Sequence, residues 1–131
     1  MSFLSYFVSR HNHYLTNLTY YCSPRFQYQI TAFLDLGVNE FTSTISSDIS
    51  KLTNIETLHL SELSLTGQFP DSIKSLTSLK HLLITHAQQM SGPLLEFVKY
   101  WPNLELFDIY QSGFTGTIPT TIGMNTKLNL L

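Results

Sequence analysis

The chain has 131 residues, 43% of them hydrophobic and 13% aromatic, while charged residues make up only 12%. That length suits one domain, and the composition excludes a highly charged disordered chain. Seven basic and nine acidic side chains leave a formal net charge of -2, which argues against a nucleic-acid partner, and the single cysteine, Cys22, excludes an intramolecular disulfide and a multi-cysteine zinc site.

In chain order, residues 1–30 precede any regular pattern and read as an N-terminal cap or leader. The stretch from Met1 to Val8 is apolar but short, with no basic residue ahead of it and no small-residue cleavage site behind it. It is no convincing signal peptide. No apolar run anywhere approaches the roughly 18–20 residues of a membrane-spanning helix. Asn17-Leu18-Thr19 is a glycosylation acceptor triplet, which matters only in a secreted chain. The aromatic cluster that includes Tyr6, Phe7, Tyr20 and Tyr21 reads as a cover for the first open end of the core behind it, and His11 and His13 as polar loop.

From Thr31 onward the same apolar columns return in rows of about 24 residues: 31–54, 55–78, 79–103 with one extra residue near Gln88-Gln89, 104–127, and a partial row 128–131. Each row opens on an alternating triplet (Leu34-Asp-Leu36, Leu58-His-Leu60, Leu82-Leu-Ile84, Phe107-Asp-Ile109), the period of a half-buried strand. The return path carries Gly67-Gln-Phe-Pro70 and Gly116-Thr-Ile-Pro119, where glycine permits a tight backbone and proline forbids a helix interior. Ile49–Leu52, Ile73–Leu76 and Val98–Trp101, each three apart, predict one short helical turn per row on the outer side. Five or six buried apolar side chains contribute on the order of 10 kcal/mol per row. Ordering the row costs roughly 1–2 kcal/mol per residue. A single row therefore cannot fold, and the rows must stack on a shared core.

These residues, with Leu52-Thr-Asn-Ile-Glu-Thr-Leu58, Ser91-Gly-Pro93 and Phe114-Thr-Gly-Thr-Ile-Pro119, resemble the plant-type extracellular leucine-rich repeat. The pattern is similar to polygalacturonase-inhibiting proteins, to the ectodomains of plant receptor-like proteins and to carrot-type antifreeze proteins. The resemblance implies an α/β solenoid: a right-handed coil of about four to five repeats with a short parallel β-sheet on its concave face. It also implies an extracellular or cell-wall location and a defence or receptor-like role, with a polygalacturonase or receptor ligand as partner. Three departures from the family pattern carry expectations. Its ninth column, normally Asn, holds Asn39, Leu63, Ala87 and Ser112. Unpaired buried backbone groups cost about 1–3 kcal/mol each, so water or altered turns should replace the missing amides. Cys22 stands where the family's N-terminal cap has paired cysteines. The partial row 128–131 lacks a cap and leaves an edge open to self-association, or marks a piece of a longer receptor array with no function of its own.

Side chains flanking the buried strand residues point outward onto the concave face. Successive columns there are Phe33, Thr57, His81 and Leu106; Asp35, His59, Leu83 and Asp108; Gly37, Ser61, Thr85 and Tyr110; Val38, Glu62, His86 and Gln111. The candidate protein-binding residues are Asp35, His59, Glu62, His81, His86, Asp108 and Tyr110, with Tyr110 and the pH-responsive imidazoles as anchors. The plainer alternative is a solvated sheet face. Three histidines without ligand spacing do not make a metal site, and no cofactor motif is present. Asp35 and His59 read as a surface ion pair, since no nucleophile or oxyanion hole accompanies them. Asp35 and Asp108 are three strands apart, roughly 14 Å, too far for a glycosidase pair. The reading is thus non-enzymatic. Ice binding, the other alternative, needs evenly spaced Thr or Asn, which these columns lack.

Overall fold

The computed structural model describes residues 33–38 and 42–129. Asn17, Cys22, the aromatic leader and Asn39 of the ninth column lie outside the described residues. In chain order the elements are β1 (Phe33–Asp35), η1 (Ser47–Lys51), β2 (Thr57–His59), β3 (Gly67–Gln68), η2 (Asp71–Ser75), β4 (His81–Leu83), β5 (Met90–Ser91), η3 (Leu94–Tyr100), β6 (Leu106–Asp108) and η4 (Thr120–Met124). The four η elements are 3-10 helices, the tight form that single outer turns favour.

At each alternating triplet lies a three-residue strand that begins one residue earlier and ends at the triplet's middle residue. β1, β2, β4 and β6 form one parallel sheet in that order, with Leu34 opposite Leu58, Leu58 opposite Leu82, and Leu82 opposite Phe107. These middle residues are buried, and their neighbours on either side face out, as a period of two requires. Cross-row hydrogen bonding continues past the strand ends. The Leu36, Leu60 and Ile84 amides donate to the His59, Leu83 and Asp108 carbonyls at 2.7–2.9 Å, and the Val38, Glu62 and His86 amides donate to Ser61, Thr85 and Tyr110 at 2.9–3.0 Å.

That second set of bonds holds the turn in three rows, at Val38, Glu62 and His86. Val38, Glu62, His86 and Gln111 all adopt φ between 51° and 57°. The left-handed region costs a non-glycine residue about 1–2 kcal/mol, and it persists where surrounding bonds over-determine it. The turn is therefore unaltered in the rows without Asn in the ninth column, contrary to expectation. Leu63 and Ala87 are instead buried in the core. The Ala87 carbonyl accepts from the Met90 and Gly113 amides at 3.0 and 3.1 Å, and the Ser112 hydroxyl donates to the Ile109 carbonyl at 2.6 Å. Apolar filling and backbone pairing replace the amide.

On the return path, β3 and β5 pair in parallel as a second, two-stranded sheet that the sequence pattern had not indicated. The 3-10 helices then close the core from the outer side, pointing Ile49, Ile73, and Leu94, Phe97 and Val98 inward. Trp101 is fully buried. Its indole N–H donates to the Ile73 carbonyl at 3.1 Å, and its ring meets Phe107 edge-on at 6.4 Å. Asn125 is also buried, and its amide nitrogen donates to the Trp101 and Val98 carbonyls at 2.8 and 3.2 Å. Both N–H groups find acceptors, and these bonds offset the cost of taking them out of water. Among the described residues no helix is long and apolar enough to cross a membrane.

Candidate functional site

The outward columns of the four-stranded sheet form one continuous strip. At its first edge, the His59 Nδ1–H donates to Asp35 Oδ1 at 2.9 Å; His59 and Asp35 side chains keep 28% and 35% of their accessibility. The same carboxylate oxygen accepts the Gly37 amide at 2.8 Å. Asp108 repeats this device on β6, accepting the Tyr110 amide at 3.1 Å. An aspartate that holds the amide two residues on has its carboxylate direction fixed. A side chain at Gly37 would crowd both groups, because a Cβ there meets His59 at 3.0 Å and Asp35 at 3.1 Å.

In the middle rows, His81 Nδ1 lies 3.0 Å from Thr57 Oγ1, and its Nε2 lies 3.8 Å from Glu105 Oε2. A carboxylate at Nε2 favours the tautomer whose Nδ1 accepts from the threonine hydroxyl. Lys80 bridges the same rows, its Nζ 2.8 Å from Glu56 Oε2. That hydrogen bond, helped by the charges of Glu56 and Glu105, holds the Lys80 ammonium above its ordinary pKa of 10.5. At the far edge, His86 and Tyr110 meet edge-to-face with centroids 5.9 Å apart, and His86 Nδ1 lies 3.3 Å from Thr85 Oγ1. Tyr110 is 64% exposed.

Of the sequence-derived candidates, the structure therefore brings together Asp35 with His59, and His86 with Tyr110. His81 engages Thr57 and Glu105 instead. Glu62 stands exposed on its left-handed turn, and Asp108 bonds only to backbone among the described contacts. Glu56, Lys80 and Glu105 belong to the same strip but were not singled out. They fill the column just before Thr57, His81 and Leu106, so extending the column count by one position finds them. Among the described residues no three His, Cys, Asp or Glu side chains converge to hold a metal ion. A shallow cavity of about 220 Å³ lies elsewhere, between η2 and η3, lined by Gln68, Phe69, Lys74 and Phe97.

The family model described as Leucine Rich Repeat matches residues 54–76. The chain is similar to several receptor-like proteins of Arabidopsis thaliana. It is 34% identical to Receptor-like protein 39 over 97 residues (73% of this chain, 11% of that protein). It is 32% identical to Receptor-like protein 6 over 89 residues (68% and 9%). The chain thus spans about a tenth of the length of the curated relatives it matches. Among solved structures, PEPR1-AtPEP1 superposes with a TM-score of 0.67 at 31% identity, over 76% of this chain and 14% of that one. The plant peptide hormone receptor RGFR1 in complex with RGF2 gives 0.64 at 26% identity, over 72% and 15%. A plant ice-binding protein shares the fold alone, with a TM-score of 0.57 at 22% identity over 66% of this chain and 36% of that one.

Proposed function

We propose that this chain, which belongs to the leucine-rich repeat proteins of the plant extracellular type, is a non-enzymatic recognition module that holds a protein or peptide against its concave sheet. One observation carries this reading: four parallel strands present an unbroken strip of oriented polar and aromatic side chains, from Asp35 and His59 to His86 and Tyr110. Aromatic and charged side chains held in place before binding lose little freedom on contact, and such groups dominate binding energy. The relatives are receptor-like proteins, and one structural neighbour is a plant peptide hormone receptor in complex with RGF2. They support receptor-like recognition of a protein or peptide; a location at the cell surface or in the wall, and a peptide or a polygalacturonase as partner, are part of the proposal.

Within this reading Tyr110 and His86 are the aromatic anchors, and Asp35, His59, His81 and Asp108 set polar complementarity. Glu62 stands at the rim. The Asp35–His59 bond orients a recognition surface, and no step of chemistry is assigned to it. The test compares immobilised native chain with a triple variant, His59→Ala, Glu62→Ala and Tyr110→Ala, in capturing purified polygalacturonase and secreted peptides from cell-wall extract. A ligand retained by the native chain and lost by the variant is expected. Equal retention by both proteins contradicts the assignment to the concave face.

A further inference from the structure

Charge is unevenly divided between the two sides of the coil. On the outer side each of three 3-10 helices carries one acid in its first turn and one lysine in its last: Asp48 with Lys51, Asp71 with Lys74, and Glu96 with Lys99. The first two pairs close at 3.0 Å. Those six charges cancel. Among the described residues the concave strip holds five carboxylates (Asp35, Glu56, Glu62, Glu105 and Asp108) against one lysine, Lys80, already bonded to Glu56, a surplus of four negative charges while the imidazoles are neutral.

A surplus on one face has two natural ligands, a metal ion or a basic partner. A metal ion needs carboxylates that converge, and among the described residues no such group exists. Here they are spread over all four rows, at a strand spacing of about 4.8 Å. The strip also bears apolar groups at both ends, with Phe33 51% and Tyr110 64% exposed, and half-buried Leu83 and Leu106 between. A strip roughly 14 Å across the strands matches four or five residues of extended chain, which rises about 3.3 Å per residue. An extended segment that alternates cations with other side chains repeats its charge about every 6.6 Å and so sets two or three cations over the four rows.

Resting on the concave-face reading above, we infer that the occupant of this sheet is an extended, lysine- or arginine-bearing segment of a partner protein. Attraction between a negative strip and such a segment steers encounter and rejects acidic competitors. It also makes binding dependent on salt, because these groups are exposed and screened.

The experiment titrates the 131-residue chain into a fluorescein-labelled twelve-residue peptide alternating lysine with serine, and into its counterpart with glutamate for lysine. At about 50 mM NaCl the lysine peptide is expected to bind at least ~10-fold more tightly, with the gap shrinking below ~3-fold at about 500 mM. Paired Glu62→Gln and Glu105→Gln should weaken the lysine peptide by ~3- to 10-fold, whereas Glu96→Gln on the outer side should leave it unchanged. Thermal melts check that the variants fold, and the salt comparison needs no variant at all. Equal binding of both peptides, or tighter binding of the glutamate peptide, overturns the basic occupant. If Tyr110→Ala then weakens the glutamate peptide, the concave-face reading survives that loss. If Glu96→Gln weakens the lysine peptide as much as the concave pair does, both readings fall together.

Discussion

Two stretches of this molecule share a local design and differ in what lies against them. Gly67-Gln-Phe-Pro70 leads into η2, and Gly116-Thr-Ile-Pro119 leads into η4. Gly67 and Gly116 both sit at positive φ, which suits glycine, and Pro70 and Pro119 cap their helices at φ -67° and -70° with ψ 145° and 143°. Each helix ends with the amide of its C-cap donating to an isoleucine carbonyl, Ile73 or Ile122. The backbones are nearly superimposable in kind. Yet Phe69 and Ile73 are buried, while Ile118 is 61% exposed and η4 buries none of its residues. Glycine and proline chemistry sets the path of a row, but a neighbouring row on each side sets how much stability that path collects.

The largest effect should come from the matched positions Phe69 and Ile118. Phe69 is buried and packs on Phe114 with ring centroids 5.9 Å apart. Phe69→Ala should cost about 3–5 kcal/mol in urea unfolding, whereas Ile118→Ala should stay within about 0.5 kcal/mol. Similar losses at the two sites would mean that the row itself, and not its neighbours, holds the stability. Glycines sharpen the same contrast. A Cβ at Gly113 would run into the Met90 and Gln88 carbonyl oxygens, while at Gly123 it would meet nothing within 4 Å. Gly113→Ala should destabilise by roughly 1–3 kcal/mol. Gly123→Ala should be neutral or stabilise by about 0.4–1 kcal/mol through a less flexible unfolded chain. Parallel thermal melts of the two variants check both signs.

The smallest effect concerns cross-row lysines. Lys80 reaches back 24 residues to the Glu56 carboxylate, and Lys127 reaches back 24 residues to the Asn103 side-chain oxygen at 2.7 Å. Because the Lys80 pKa is raised, its pair is fully formed below the ordinary value of 10.5 and is lost as pH climbs through the raised one. Glu56→Gln should bring the Lys80 titration down toward 10.5 in an NMR experiment that follows its ε-methylene protons. An unmoved titration would assign the shift to something other than this contact.

Much of this architecture is legible in the sequence because a coil repeats its instructions. The alternating triplets locate β1, β2, β4 and β6, and apolar pairs such as Ile73 and Leu76 locate the outer turns. The β3–β5 pairing was hidden, since two residues per strand carry no periodicity to detect. The fate of the ninth column was hidden too. Leu63 and Ala87 predict water or an altered turn in place of the amide, whereas the left-handed turns at Glu62 and His86 show backbone bonds holding the bend. In the candidate site, Asp35 and His59 share one column in adjacent rows, so their contact follows from register alone. His86 with Tyr110, and His81 with Glu105, touch on a diagonal between columns. Diagonal contacts depend on side-chain direction, which column counting does not supply.

The central claim is that the strand side of the coil is the side that meets a partner. Amide chemical-shift mapping on the isotope-labelled chain, with the lysine–serine peptide added stepwise, tests it most directly. Shifts concentrated at Thr57, His59, His81, Asp108 and Tyr110 are predicted. Shifts confined to Asp71–Ser75 and Leu94–Tyr100, on the outer helices, would contradict it.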